Sequence, residues 1–467
     1  MASRILETDY LVVGAGASGM AFVDSLITAS DADVIMVDRR FAPGGHWNDS
    51  YPFIRLHQPS AYYGVDSLPL GTDTIDTTGV NAGMYERASG REICAYYERV
   101  MNERLLASSR VRFFPQCDYV GHGEFVSRLT GDRFEVSARR AVVDAVYLEP
   151  RVPATSPPVF EVDDGVRCVP VNELARREEP PDGYTIVGAG KTAADAILYL
   201  LQNGVPPAFI RWIKPREAWY LNRRFTQGGE LLPTLFEGLA LQAEACAEAG
   251  SQTELFDRLS DTEQLLRVDT SIAPTMFRGP TASTAEIEQL RRVDGVIRLG
   301  RVRRIEADAI QLEHGSVPTT PGTLHVYAAA GGLNPAPEVP IFAPERIRLQ
   351  SMRIGLTPFN SSLIGYVEAT RSDPAIKNRL CPPNRQPNTP ADWIRGTLIA
   401  WQADALWARE RDIAQWMDAA RTNISRGLTE QRSRPELAAA LARYRAGLEP
   451  AIANLHRLLE GRSSEMS

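Results

Sequence analysis

The side chains best equipped for chemistry crowd into one short stretch, positions 48–64. Asn48, Asp49, Tyr51, Arg55, His57, Gln58, Ser60, Tyr62 and Tyr63 all fall there. Pro52, Pro59 and Gly64 interrupt them, so the stretch is expected to be a loop. Loops on a rigid scaffold are where binding and reacting groups concentrate. Arg55 is the type of residue that offsets a negative charge developing beside it. His57 is the type that can take and return a proton near neutral pH. Arg55, His57, Gln58 and Tyr62 are therefore the candidate catalytic residues. The competing reading is a surface loop whose aromatic rings fill local gaps.

Two glycine motifs must position that loop. Leu11-Val-Val13 reads as a buried parallel strand, and Gly14, Gly16 and Gly19 follow as G-x-G-x-x-G. The first glycine permits a tight turn, the second a close approach of backbone to a pyrophosphate, the third close packing of helix on strand. Met20, Val23 and Ile27 continue at helical spacing, so a helix N-terminus faces the phosphates. A second strand, 33–38, ends in Asp38, placed to bind a ribose hydroxyl. Ser18 and Arg39 flank these positions and join them as candidates. Pro43-Gly-Gly-His-Trp47 comes next; Gly45 suits backbone lying against a flat ligand, with His46 and Trp47 bordering it.

The second motif begins with the strand Tyr184–Val187. Gly188-Ala-Gly190-Lys-Thr-Ala193 gives G-x-G-x-x-A, with Lys191 and Thr192 opening a helix. The next strand, 209–213, ends not in an acid but in Lys214-Pro-Arg216. An acid there would bind a 2′-hydroxyl, whereas a cation accommodates a 2′-phosphate. The unit is thus expected to take NADPH through Lys214 and Arg216. Arg223 and Arg224, just beyond, are further candidates for holding it. A tightly held dinucleotide in the first unit and a diffusible reductant in the second imply hydride transfer from nicotinamide to flavin. Small residues at 328–332, including Gly331, let backbone approach a ligand. Asn360 opens a helix aimed at the flavin, with Arg353 before it.

The 467 residues suffice for two or three domains. The expected fold is α/β, with two Rossmann-like dinucleotide-binding domains, for FAD and NADPH. The expected division is a first FAD part at 1–150 and an NADPH domain at 151–327 with a helical insertion near 228–290. The second FAD part, at 328–467, ends in helices. A helix at 91–106, a strand at 111–114 and meander strands at 121–127, 133–138 and 140–148 complete the first part. The insertion is read equally as a lid or as packing. The stripe Leu437, Leu441, Tyr444, Leu448, Ile452, Leu455, Leu459 packs either on the protein or on a second copy, as a homodimer would require, and Pro450 should kink that helix. Trp393, Trp401, Trp407 and Trp416 read as core.

Net charge is −7, with 51 Lys plus Arg against 58 Asp plus Glu, so no nucleic acid or anionic membrane is expected as a partner. With no apolar leader or spanning run, a cytoplasmic location is expected. The five cysteines contain no C-x-x-C pair and the six histidines no metal spacing, so no metal and no redox dithiol are expected.

The motifs G-A-G-A-S-G, G-G-H-W at 44–47 and G-A-G-K-T-A resemble those of the flavin-containing monooxygenase superfamily, which includes N-hydroxylating and Baeyer–Villiger enzymes. The runs R-L-H-Q-P-S-A-Y-Y-G-V and L-N-R-R-F look like a group of FAD/NAD(P)-binding oxidoreductases. The likeness covers most of the chain. Two positions depart from the pattern: 160–172 lacks the histidine of F-x-G-x-x-x-H, and A-T-G becomes Ala329-Ala-Gly331. The resemblance implies FAD and NADPH as cofactors and a small-molecule substrate. It also implies O2 as co-substrate, with one oxygen delivered through a C4a-peroxyflavin. Two alternatives stay open: an NAD(P)H-dependent flavin reductase or dehydrogenase without oxygen transfer, and a flavoprotein that senses redox state.

Overall fold

The computed structural model describes residues 4–332 and 336–460. Asn334, expected to mark the return to the first domain, lies outside them.

Two parallel sheets organise the chain. In the first, the strand Arg4–Val13 is flanked by Val34–Val37 on one side and Arg133–Asp144 on the other, all parallel. Val111–Phe114 extends one edge and Arg346–Arg348 the other. The chain fills one side first and then crosses to the other, so the order reverses beside Arg4–Val13, at the end of which the first glycine loop begins. In open α/β sheets such a reversal leaves a crevice at the carboxyl ends of the strands. The strands Val34–Val37 and Leu11–Val12 are buried on both faces, which explains their unbroken aliphatic runs.

The meander differs from expectation in two respects, the first being that 121–127 is not one strand but the turn and second arm of a hairpin, Cys117–Gly121 with Glu124–Ser127. The second is that residues 133–144 form a single strand, not two. Its first half pairs antiparallel with Glu124–Ser127, its second half parallel in the main sheet. The register slips between Thr8 and Tyr10, so Arg139 and Arg140 together oppose Asp9, and Arg139 ion-pairs with Asp9 at 3.0 Å. That bulge gives the charged pair an outlet from a ladder which would otherwise bury one of them.

The second sheet has the order 295–297, 210–213, 183–187, 323–327, 168–170, again all parallel. Its order reverses beside Gly183–Val187, before the second glycine loop. Strands 302–305, 309–312 and 315–318 form a separate layer, antiparallel among themselves, with Glu161–Val162 paired parallel to Val302–Ile305. The segments joining the two sheets lie side by side: Arg151 donates its N–H to the Gly332 carbonyl at 2.9 Å.

Part of the expected insertion packs against the C-terminal region. Helix Leu232–Glu248 lies parallel to the last helix, Pro435–Glu460. Leu437 and Leu441 join Leu232, Leu235 and Phe236 in one cluster, while Ala451 and Leu455 join Ala245 and Cys246 in another. A Cβ on Gly447 would sit 3.3 Å from that of Ala243, so the helices meet closely there. The apolar stripe is thus covered by this same chain, and Pro450 is carried inside the helix. Trp393, Trp401 and Trp407 are buried and Trp416 is partly so. No described helix is long and apolar enough to cross a membrane.

Candidate functional site

Both glycine loops have the geometry their residue types demand. Gly14 has φ +107° and donates to the Val37 carbonyl. A Cβ on Gly19 would overlap the Gly14 carbonyl oxygen, so only glycine lets the helix Ala17–Ala29 lie this close. Gly16 faces Gly45, whose Cβ would come within 3.0 Å of the Gly16 Cα, and Gly44 donates to the Ala15 carbonyl. The G-G-H-W turn is therefore docked on the first loop. In the second loop Gly188 has φ +141°, but Gly190 has ordinary extended backbone and a Cβ there would meet nothing within 4 Å. Neither strain nor packing calls for glycine at 190. Free space above the backbone is what the residue preserves.

The helices that follow the loops, Ala17–Ala29 and Lys191–Gln202, have glycine at the N-cap, no side-chain cap and no acid in the first turn. Helices starting at Gly90, Gln252 and Pro390 are capped by Ser89, Ser251 and Thr389; those starting at Leu232, Thr357 and Arg411 also lack a side-chain cap but are entered through Leu231, Leu356 and Glu410, not through glycine. The two glycine-entered termini leave N–H groups and the positive end of the helix dipole open to an anion. Asp38 is buried, with Oδ2 accepting from Ala15 N at 2.7 Å and Oδ1 from Arg40 N at 2.8 Å. Its remaining lone pairs lie beside the loop. Ser18 is half-buried on the first turn. Arg39 is exposed and ion-paired with Glu149.

Several expected ligand contacts are committed elsewhere. Trp47 is buried in the first core, its indole N–H donating to Tyr63 Oη at 2.7 Å. His46 stacks on it at 5.1 Å, and burial together with the Arg40 guanidinium holds its imidazole down to about 4. Asn360 is buried and clasps the Arg353 backbone, accepting from N at 2.9 Å and donating to O at 2.8 Å. Arg353 itself is ion-paired to Asp404. Lys214 requires a correction. Its ammonium is fully buried, ion-paired with Glu217 and seated over the Trp212 ring, so in this conformation no phosphate reaches it. Glu217, three residues on, draws the side chain inward. Arg216 stays half-exposed and donates to Asn388 Oδ1 at 2.9 Å. Arg278 donates to the same oxygen at 2.9 Å and to the Gly331 carbonyl at 2.9 Å. Among the described residues neither guanidinium is paired with a carboxylate. Arg278, and Arg301 whose charge also reaches Arg216, are the cations that sequence reasoning missed.

The loop at 48–64 lies between the two units. Tyr51 Oη donates to Asp195 Oδ2 at 2.6 Å, and Asp195 also pairs with Lys191. Phe53 stacks on Tyr199 at 4.1 Å. Asp195 and Tyr199 belong to the helix after the second glycine loop, whereas Trp47 and Tyr63 belong to the first core. Tyr62 is a structural clip, since its hydroxyl donates to the Thr226 carbonyl at 2.6 Å. Gln58 is half-buried.

Arg55 also departs from expectation. It is exposed, and its guanidinium donates to the Arg87 carbonyl at 2.9 Å. The guanidiniums beside His57 are those of Arg87 and Arg223. Glu286 binds both, Oε1 to Arg87 at 3.1 Å and Oε2 to Arg223 at 2.6 Å. Arg223 also donates Nε–H to the His57 carbonyl at 3.0 Å, whereas Arg224 is exposed. Burial first, then the charges of Lys191, Arg223 and Arg87, hold the His57 imidazole well below its usual range, so it is neutral at pH 7. Glu286 opens its helix in a Ser283/Glu286 capping box, a local pattern visible in the sequence; Arg87 has no local signature.

No protein-family model matches the chain. Among solved structures, it is similar to a mutant flavin monooxygenase from Stenotrophomonas maltophilia, with 14% identity, 78% of this chain and 98% of that one covered, and a TM-score of 0.48. A bacillithiol disulfide reductase from Staphylococcus aureus gives 11%, 78%, 98% and 0.45. NADP+-bound cyclohexanone monooxygenase from Rhodococcus sp. Phi1 gives 13%, 79%, 85% and 0.46. Among curated proteins, uncharacterized protein Rv2000 of Mycobacterium tuberculosis and uncharacterized protein Mb2023 of Mycobacterium bovis are each 44% identical over 423 residues. The match spans 90% of this chain and 78% of either relative, and by that measure the chain belongs to the family of these two mycobacterial proteins.

Proposed function

We propose that the chain is a FAD-dependent oxidoreductase that draws hydride from NADPH and inserts one oxygen atom from O2 into a small organic substrate. One observation carries the reading. Two uncapped, glycine-entered helices stand at the reversal points of two separate parallel sheets, and a single loop ties them together. The residues present fit the two cofactors. The first loop and Asp38 would hold FAD, with Ser18 on the ligand side. The open space over Gly190, the Lys191 terminus and the Arg216–Arg278 pair would hold NADPH. When bound, the flavin supplies two-electron chemistry between nicotinamide and oxygen.

The chain's own contribution is positional and electrostatic. Tyr51 and Phe53 shield one side of the interface from water. His57, held neutral, is able to accept a proton or a hydrogen bond there without adding charge. The cytosol is the compartment in which NADPH would be supplied.

The test is stopped-flow absorbance. Purified protein should be yellow, bleach with NADPH faster than with NADH, and pass through a transient band when the reduced form meets O2. Direct return to the oxidised spectrum would instead assign a reductase or dehydrogenase. Colourless protein that stays so with added FAD would end the proposal.

A further inference from the structure

The buried group around His57 holds more positive than negative charge. Arg87, Arg223 and Lys191 supply three cations, Glu286 and Asp195 two carboxylates, and His57 is neutral. A buried charge without a partner is costly, so such an excess calls for an anion. Two donors in the same group indicate which anion. Arg87 Nε and Tyr220 Oη are buried, and among the described residues neither has a hydrogen-bond partner. Arg87 is 8% exposed and Tyr220 0%. Tyr220 packs in the same buried cluster as Tyr51 and Ile287, the residues that carry the contact to Asp195 and follow Glu286, and the charges of Glu217, Asp195 and Glu286 all reach it. None of these carboxylates is available to it: Glu286 is engaged by Arg87, Arg223 and Ser283, Asp195 by Lys191 and Tyr51, and Glu217 by Lys214 and Arg298. A partner that accepts from both donors and brings one negative charge is a carboxylate.

We propose that this group, entered along the half-exposed edge of His57 and Gln58, binds the carboxylate of the substrate, so that the enzyme acts on small organic acids. The inference rests on the loop being a wall of the reacting site. Its chemistry has a second source, because Lys191 opens the helix after the second glycine loop and a dinucleotide phosphate is also an anion.

Thermal melting of the purified protein tests the assignment, with benzoate and benzamide as charged and neutral probes of equal shape at matched ionic strength. Benzoate should raise the melting temperature in a saturable way, benzamide should not, and saturating NADP+ should leave the benzoate effect in place. Tyr220→Phe, which removes only an unpartnered hydroxyl, should weaken benzoate binding about tenfold while leaving the ligand-free melting temperature unchanged. Arg87→Lys, which keeps the charge and loses the Nε donor, should weaken benzoate binding as well, at a cost in melting temperature because the Glu286 and Leu56 contacts change, and the Tyr220 variant decides the matter if the lysine variant does not fold. Equal stabilisation by benzamide, or wild-type benzoate affinity in Tyr220→Phe, overturns the proposal. Competitive loss of benzoate binding with NADP+ also overturns it, assigning the anion to the dinucleotide. NADPH bleaching of the flavin is scored separately. Benzoate binding without bleaching removes the flavoenzyme reading, and bleaching without benzoate binding removes only the carboxylate site.

Discussion

Replacing Glu286 with glutamine should cost about 3 kcal/mol of stability at pH 7. The carboxylate sits between two guanidiniums, and side-chain exposures are 7% for Arg87, 4% for Glu286 and 0% for Arg223. Burial alone would raise the pKa of this carboxyl, but Arg223, Lys191, Arg87 and the Ser283 N–H outweigh it and bring it from 4.5 to about 2. A displacement of that size, at about 1.4 kcal/mol per pKa unit, amounts to about 3 kcal/mol. Removing one partner of a buried ion pair typically costs about 3–5 kcal/mol, so the two routes agree.

The pH dependence follows from the sign. The folded-state pKa lies below the unfolded one, so the stabilisation is fully present above the unfolded value and is lost as pH falls through 4.5 toward about 2. Urea unfolding of wild type and Glu286→Gln should therefore differ by about 3 kcal/mol at pH 7 and by about 2 kcal/mol near pH 3.5, every other titrating group being common to both proteins. A gap below about 1 kcal/mol at pH 7, or one that does not narrow on acidification, would refute the reasoning.

Three further outcomes are expected. Gly190→Ala should leave the urea midpoint unchanged and lower NADPH affinity about tenfold, because its Cβ enters free space, while Gly19→Ala should destabilise the first unit by overlap with the Gly14 carbonyl. Unfolding curves paired with NADPH titrations separate the two, and equal stability losses would contradict the assignment of the space over Gly190. Arg216→Ala and Arg278→Ala should each weaken NADPH binding about tenfold to a hundredfold with NADH little changed, since each removes a charge-assisted contact worth about 1.5–3 kcal/mol. Fluorescence titration with both nucleotides checks this, and a parallel loss for NADH would dismiss the pair as readers of the 2′-phosphate. Gly447→Leu should cost about 1–3 kcal/mol by forcing apart helices 232–248 and 435–460, measured as a lower urea midpoint, and an unchanged midpoint would show that the helices part freely.

What could be read from the sequence follows from how far each constraint reaches along the chain. Gly14 and Gly19 were legible because backbone geometry within six positions dictates their type. Asp38 was legible because strand and helix lengths fix where the second strand ends. Lys214 was legible by type but not by direction: a cation at a strand end suits a phosphate, yet Glu217 turned it into the interior. The strand at 133–144 read as two because Arg139 and Arg140 break an alternating pattern, and only its pairing with Asp9 shows the break to be a bulge. Arg87 and Glu286 are 199 positions apart, and no local pattern announces such a contact. Arg55 drew attention over Arg87 because it lies nearer the glycine motif, although side-chain direction placed the second of them in the interior.

The loop at 48–64 shows why the interface matters more to function than either sheet alone. Arg421 donates to the carbonyls of Ala61, Tyr63 and Val65, fixing the loop to the C-terminal region. Tyr62 fixes it to Thr226, and Tyr51 to Asp195. Each such bond adds about 1 kcal/mol, and any one of them could open alone. The Arg87–Glu286–Arg223 triad behaves differently, because separating its members leaves buried charges unpaired. Rotation of one unit against the other must break that triad, since Arg87 comes from the first unit and Glu286 and Arg223 from the second. The half-exposed residues on this interface include Phe53, His57, Gln58, Gly190, Lys191, Thr192, Asp195 and Tyr199. The charge of Lys191 reaches His57, so an anion held at the helix terminus beside Gly190 acts on that imidazole while the triad keeps the two units together.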